Sequence, residues 1–402
     1  MIKGIQLLNR CILFFVLCAS SLLGCVPASN NPATLTVIVN PPKNYNKDDT
    51  VHMVGSFNDW RFNGLNTHKL RYENGLLKTE IPVSEAPIYF TFVKNKDWQH
   101  MPASDTGKSL CTYMHLPNPG QTELKLEIPA WKTDTSNQIP IHTTVGNIQH
   151  FPDFDMPQLA RKGSISVYLP PSYDQNSEKR YPVLYMLDGQ NIFDEFTSYS
   201  NEWKVDEILE DLVAKNELEE LIVVAIPNGE RRRSEYNPWN FKETNNELSI
   251  GEGEKTITFI KQSLKPFIDS QFRTQPQTEN TGIIGSSLGG LLALYAGIEH
   301  HDTFGFVGGF SLALDFKDMN DELVLFKAIK EKSHIRGSKF YFDIGLIEYG
   351  DYGRIDMLKA LLLSKGVREE NVKLVKDDLG RHCELDWSKR FPSAIRWLTS
   401  AS

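Results

Sequence analysis

Residues 285–289 read Gly-Ser-Ser-Leu-Gly, a G-x-S-x-G pattern. Roughly 0.1 chance occurrences are expected in a chain of this size, so the context decides. An apolar run at 282–284 precedes the pattern, a helical run follows at 288–298, and Gly290 extends the small residues. A serine nucleophile needs this strand, sharp turn and helix: the turn pushes the hydroxyl out, and the helix N-terminus faces a developing oxyanion. Glycines two residues to either side remove Cβ clashes in the turn. The register singles out Ser287. Ser286 would need glycine at 284 and 288, which are Ile and Leu.

A serine hydroxyl needs a base, and the base needs an acid that fixes its tautomer. On sheets that carry such an elbow the order along the chain is serine, acid, histidine. Downstream lie His300, His301, His334 and His382. The first two end the elbow helix, where imidazole suits the C-terminal dipole. His334 comes before the strand expected at 339–344, too early to follow an acid at that strand's exit. His382 sits in a loop between a strand at 372–375 and a helix through 387–398, where a loop-borne base belongs. For the acid, Asp343 lies inside its strand, Glu348 falls just past the end, and Asp351 is a second candidate. Glu348 is favoured.

The elements around these residues follow from apolar patterning. Residues 164–169 alternate and stop at Pro170-Pro171. Residues 182–187 and 221–226 are continuous apolar runs, as buried parallel strands are. Residues 203–212 and 257–268 have helical spacing. Buried strands alternating with helices predict a doubly wound, mainly parallel α/β sheet over 151–402.

This stretch resembles the putative-esterase family of α/β hydrolases, which includes enterochelin, feruloyl and acetyl-xylan esterases and the mycolyltransferases. The matching pieces are Val167-Tyr168-Leu169-Pro170-Pro171-Ser172-Tyr173, residues 181–190 ending in Leu187-Asp188-Gly189-Gln190, and Arg233-Ser234-Glu235-Tyr236. Gly285 to Gly290, Gly345 to Glu348 and Gly380-Arg381-His382 complete the set. The resemblance supports Glu348 as the acid. It implies an oxyanion hole made of the backbone N–H groups of Gln190 and Leu288. It puts Arg233, Glu235 and Tyr236 near the cleft, as loop-ordering or substrate-contacting residues. Arg381 departs from the aromatic or small residue usual before the histidine, which changes the pocket rim.

Residues 34–130 read as short strands between turns, the pattern of a small all-β, immunoglobulin-like sandwich. Val54-Gly55-Ser56-Phe57-Asn58-Asp59-Trp60, with Tyr89-Phe90-Thr91-Phe92 and Trp98, resembles an early-set, glycogen-binding-module-like domain. Trp60 and Trp98 are then either sugar-stacking faces or core and interface residues. Residues 131–150 lack periodicity and read as a linker.

Residues 1–24 read as a signal peptide: Lys3 and Arg10, then an apolar run. They end in Leu22-Leu23-Gly24-Cys25, which resembles a bacterial lipobox. That implies cleavage before Cys25, a lipid on its thiol, and a membrane-anchored place in the cell envelope, the outer membrane by analogy with sorting rules. Cys111 and Cys383 are then the remaining thiols. Export permits a disulfide between them, but two buried free thiols are the favoured reading. Metal-ligand spacing is absent. Lys and Arg number 43 against 51 Asp and Glu, a net charge of −8, which argues against a nucleic-acid partner. The expectation is a serine carboxylesterase without metal or organic cofactor, acting on a small-molecule or glycan ester. An acyltransferase on the same triad, or a catalytically inactive glycan-binding lipoprotein, are the alternatives.

Overall fold

The computed structural model describes residues 34–400, except 44, 59–61, 63–67, 83–87, 105–106, 116–120, 133–141, 200, 244–245, 346–347, 349–352 and 379. Cys25, Trp60 and Asp351 lie outside the described residues. Among the described residues no helix is long and apolar enough to cross a membrane.

Among the described residues, 34–131 form two four-stranded sheets and a short pair of Pro102–Ala103 with Ala130–Trp131. One has the order Arg71–Glu73, Leu76–Pro82, Thr34–Asn40, Glu123–Glu127; the other His68–Lys69, Val51–Gly55, Ile88–Lys94, Tyr113–His115. Every second residue of Thr34–Asn40 is buried, so Leu35, Val37 and Val39 meet Met53, Phe90 and Phe92 of the facing sheet in one core. This alternation produces a sandwich, because side chains on a strand alternate faces. Trp98 is 42% exposed and is no part of that core.

The larger sheet has eight strands, in the order Asn147–Met156, Arg161–Leu169, Ile222–Ile226, Val183–Leu187, Thr281–Ser286, Phe306–Phe310, Lys339–Gly345, Val372–Asp377. The first two strands run antiparallel and the other six are parallel. The first strand starts at Asn147, so the end of the expected linker is already sheet. Its backbone pairs with Leu169 and Tyr168, which the aperiodic sequence there does not reveal.

Two cores cover the sheet's two faces, which is what makes the central strands apolar throughout. Val183, Tyr185 and Leu187 pack on one side with the helices Leu288–Glu299 and Gly253–Phe259; Leu184 and Met186 pack on the other with Val205–Ala214 and Glu384–Thr399. Strand Val183–Leu187 has Ile222–Ile226 on one side and Thr281–Ser286 on the other. The chain therefore diverges between the ends of Val183–Leu187 and Thr281–Ser286, and such a switch point leaves a crevice at the carboxyl ends. Gly189 leaves the first of these ends and Ser287 the second.

Candidate active site

Ser287 has φ 54° and ψ −119°, a conformation that costs an L-residue of order 1–3 kcal/mol and is held only by its surroundings. Those surroundings are specific. The Ser287 N–H donates to the Phe310 carbonyl at 2.8 Å, and the Ser287 carbonyl accepts from Leu291 and Ala313. A Cβ on Gly285 would lie 2.5 Å from the Gly289 carbonyl carbon, so the two glycines expected from the motif pack against each other across the turn. Helix Leu288–Glu299 starts at the next residue.

The loop after Leu187 is clamped from several sides. Asp188 takes the left-handed conformation at φ 56°. Its carboxylate accepts two bonds from Arg232 at 2.7 and 2.6 Å, and its N–H donates to the Tyr236 hydroxyl at 3.0 Å. Gly189 has no room for a side chain, because a Cβ would sit 2.5 Å from the Ile226 nitrogen. Gln190 is gripped by Asn228 through its side-chain amide at 2.6 Å and by Thr197 at its carbonyl. The arginine that orders this loop is therefore Arg232.

Arg233 instead pairs with Glu243 at 2.8 Å and lies over Phe241 and Phe316. It shares with Ser287, Leu288, Ala313 and Phe316 a cavity of about 400 Å³, rimmed by Lys242, Glu243, Asp315 and Lys317. Glu235 and Tyr236 are buried, each 1% exposed. Glu235 pairs with Arg161 at 3.0 Å and Tyr236 supports Asp188. Of the three residues expected near the cleft, one lines the serine's cavity and two sit behind it as loop supports.

His382 Nδ1 lies 3.1 Å from Glu348 Oε2, and its ring meets Trp387 edge-on at 5.2 Å. The other oxygen of Glu348 accepts from the Ser311 hydroxyl and, at 3.0 Å, from the Gly345 N–H. The carboxylate is thus fixed on one side and free on the other to orient an imidazole. Ser311 is itself held: it accepts from Trp387 Nε1 at 2.7 Å and from Arg390 at 2.9 Å. Arg390 also pairs with buried Asp343 at 3.1 Å and with Asp377 at 3.0 Å. Burial pushes the Asp343 carboxyl up to about 6 against the pull of Arg390. Asp343 stands two strand positions before Gly345 and serves this network.

Arg381 pairs with Asp386, at 2.8 and 3.2 Å. Burial raises the Asp386 carboxyl, but Arg381 and Lys389 more than offset it, at about 2. Asn191, one residue past Gln190, donates to Glu384 at 2.9 Å, which ties the Asp188 loop to the His382 loop. Burial pushes Glu384 up to about 7.

Sequence reasoning missed Ser311, Arg390 and Arg232. An aspartate inside the apolar run Phe340 to Ile344 was the available signal, since a buried carboxylate demands a buried cation.

Cys111 and Cys383 are disulfide-bonded, with Cα atoms 6.0 Å apart. This corrects the expectation of free thiols. The pair is 272 residues apart in sequence, and only the docking of the sandwich onto the His382 loop brings it together. Ser56, Tyr89, Cys111 and Thr112 of the sandwich, with Glu348, Arg381 and His382, line a second cavity of about 250 Å³. Cys111→Ser is expected to cost about 2–4 kcal/mol in urea unfolding, a loss typical of native disulfides. Because Cys383 adjoins His382, kcat/KM should fall about tenfold. Unchanged kcat/KM in the folded variant would mean that the crosslink does not position the histidine.

The family model described as "Putative esterase" matches residues 157–348. This segment belongs to that family. The chain is accordingly a carboxylic ester hydrolase. The match reaches Glu348, and His382 lies beyond it. Among curated proteins, the uncharacterised protein YbbA of Bacillus subtilis is 26% identical over 243 residues, 58% of this chain and 91% of that protein. Endo-1,4-beta-xylanase Y of Acetivibrio thermocellus is 29% identical over 142 residues, 33% of this chain and 11% of the xylanase. Among solved structures, the enterobactin esterase from Shigella flexneri in the presence of enterobactin aligns with a TM-score of 0.60 at 16% identity, covering 91% of this chain and 92% of that one. That likeness is one of fold, and its extent takes in the sandwich as well as the larger sheet.

Proposed function

We propose that the esterase works through Ser287, His382 and Glu348 by way of an acyl-enzyme. The observation that carries the reading is the contact of His382 Nδ1 with a Glu348 carboxylate whose other oxygen is already satisfied. Glu348 holds the imidazole so that Nε2 faces outward as the base. Nε2 takes the Ser287 proton as Oγ bonds to the ester carbonyl carbon. The oxyanion rests on the Leu288 and Gln190 N–H groups, each worth about 3–4 kcal/mol in such a role. The C–O bond breaks, and His382 gives its proton to the departing alcohol. Water then attacks the acyl group, the acid leaves, and the proton returns to Ser287.

The substrate class we propose is an ester of an aromatic or short acyl group on a polar, carbohydrate or siderophore-like alcohol. Phe316 offers the serine's cavity an apolar wall, while Arg233, Lys242 and Lys317 together with Glu243 and Asp315 give it a charged rim of mixed sign. Such a rim suits a polar group better than a long alkyl chain. Feruloyl, acetyl-sugar, catecholate-siderophore and long-chain esters compared side by side test this. The expected result is that a feruloyl or catecholate ester leads the long-chain ester by at least tenfold in kcat/KM. A preference for the long chain would reject the substrate class.

We also propose that the chain is exported and anchored by lipid at Cys25. The Leu-Leu-Gly-Cys motif supports the anchor, and the disulfide supports an oxidising compartment.

A further inference from the structure

Glu202, Asp206 and Glu207 each bring a carboxylate oxygen to one point, all within 4.8 Å of one another. Asp206 and Glu207 belong to the first turn of helix Val205–Ala214, and Glu202 precedes it. Glu202 and Asp206 are completely buried. Each gives one oxygen to the segment that leads into the large sheet. Glu202 Oε2 accepts from the Thr143 hydroxyl at 2.9 Å, and Asp206 Oδ2 accepts from the Val145 N–H at 2.8 Å. The oxygens left over, Glu202 Oε1, Asp206 Oδ1 and Glu207 Oε2, are buried without a hydrogen-bond partner, and so is the neighbouring Asn201 Oδ1.

Buried carboxylate oxygens without a donor cost several kcal/mol unless a positive charge or a proton reaches them. Lys204 acts on Glu202 more weakly than the repelling Glu207 does. Burial pushes Asp206 up to about 8, with Glu207 adding to the rise, and Glu202 up to about 7. Two oxygens satisfied by protein donors and three left without one, on carboxylates that converge, describe a ligand set. The donors are all hard oxygens, with no nitrogen or sulfur among the three residues. That selects calcium over zinc or copper, since calcium accepts several carboxylates in flexible geometry.

We propose that Glu202, Asp206 and Glu207 form a calcium-binding site. The ion would brace the short stretch 202–207, on which two other parts of the chain converge: the segment of Thr143 and Val145, through the remaining carboxylate oxygens, and the loop that carries Gln190. The last link is backbone: Trp203 N–H donates to Asn191 and Val205 N–H to Ile192. The site's role is structural, and it stands whether or not Ser287 is the nucleophile.

The test uses the full chain stripped with EDTA. Calcium at about a hundred times its Kd is expected to raise Tm by about 3 °C for a chain of this size. Terbium should give sensitised emission through Trp203, which adjoins Glu202, and calcium should quench it by displacement. Asp206→Asn removes a buried repulsion, so the variant is expected to fold, and to lose both the Tm shift and the emission. If that variant is not soluble, Glu207→Gln, which is only partly buried, should weaken terbium binding at least tenfold. Three results overturn the proposal: a wild type with neither shift nor emission, a shift that persists in Asp206→Asn, or unchanged affinity in Glu207→Gln. The first of these would mean that protons shared between the carboxylates neutralise the cluster.

Discussion

Ser287→Ala is expected to lower kcat on any ester substrate by about 10⁴–10⁶-fold while KM changes little. The size follows from what is removed. Without the hydroxyl there is no acyl-enzyme, and what remains is the rate that the oxyanion donors and binding alone can supply. Stability should barely move. Ser287 is held at φ 54° by the Phe310, Leu291 and Ala313 backbone contacts, which alanine keeps. Circular dichroism and Tm should therefore match the wild type while steady-state hydrolysis collapses. Residual activity above about 1% would point to another nucleophile.

Glu348→Gln should cost about 10³–10⁴ in kcat, because an amide supports the wrong imidazole tautomer. The geometry leaves the amide no good orientation. One carboxylate oxygen accepts from Ser311 and Gly345, and the other faces His382 Nδ1. An NH₂ group turned toward Gly345 sets donor against donor, and one turned toward His382 makes Nδ1 the acceptor and puts the proton on Nε2, where the base must be free. Asp343→Asn is the control that separates the two acids. Asp343 is fully buried and paired with Arg390, so its loss leaves a buried cation short of charge and should cost about 3 kcal/mol or more in stability. Its effect on kcat should stay within about tenfold. The reverse pattern, with Asp343→Asn abolishing turnover and Glu348→Gln sparing it, would exchange their roles. Both variants are read by initial rates at saturating substrate, alongside urea unfolding.

Ser287 was legible because its signal is local. Glycine spacing, an apolar strand and a helix lie within about fifteen residues, and the backbone geometry of the elbow is written in that spacing. His382 and Glu348 were legible through their place after successive strands, which the buried apolar runs mark. What supports them was not legible. Ser311 and Arg390 meet Glu348 from two other elements, Trp387 holds Ser311 in place, and no periodicity says which polar residue on a helix points inward. The Cys111–Cys383 bond depends on how the sandwich docks. Arg232 and Arg233 are neighbours, and resemblance alone favoured the second. Helix geometry sends the first onto Asp188 and the second out to Glu243. The strand Asn147–Met156 hid for another reason: it is an edge strand whose residues are mostly half-buried or exposed, so it lacks the apolar run of the inner strands.

The central claim is that Ser287 is activated by His382 and carries the acyl group. Labelling with a fluorophosphonate, followed by intact-mass and peptide mass spectrometry, tests it most directly. One adduct per chain is expected, located on Ser287, with labelling slowed at least a hundredfold in His382→Ala. An adduct on another residue, or wild-type labelling rates without His382, would contradict it.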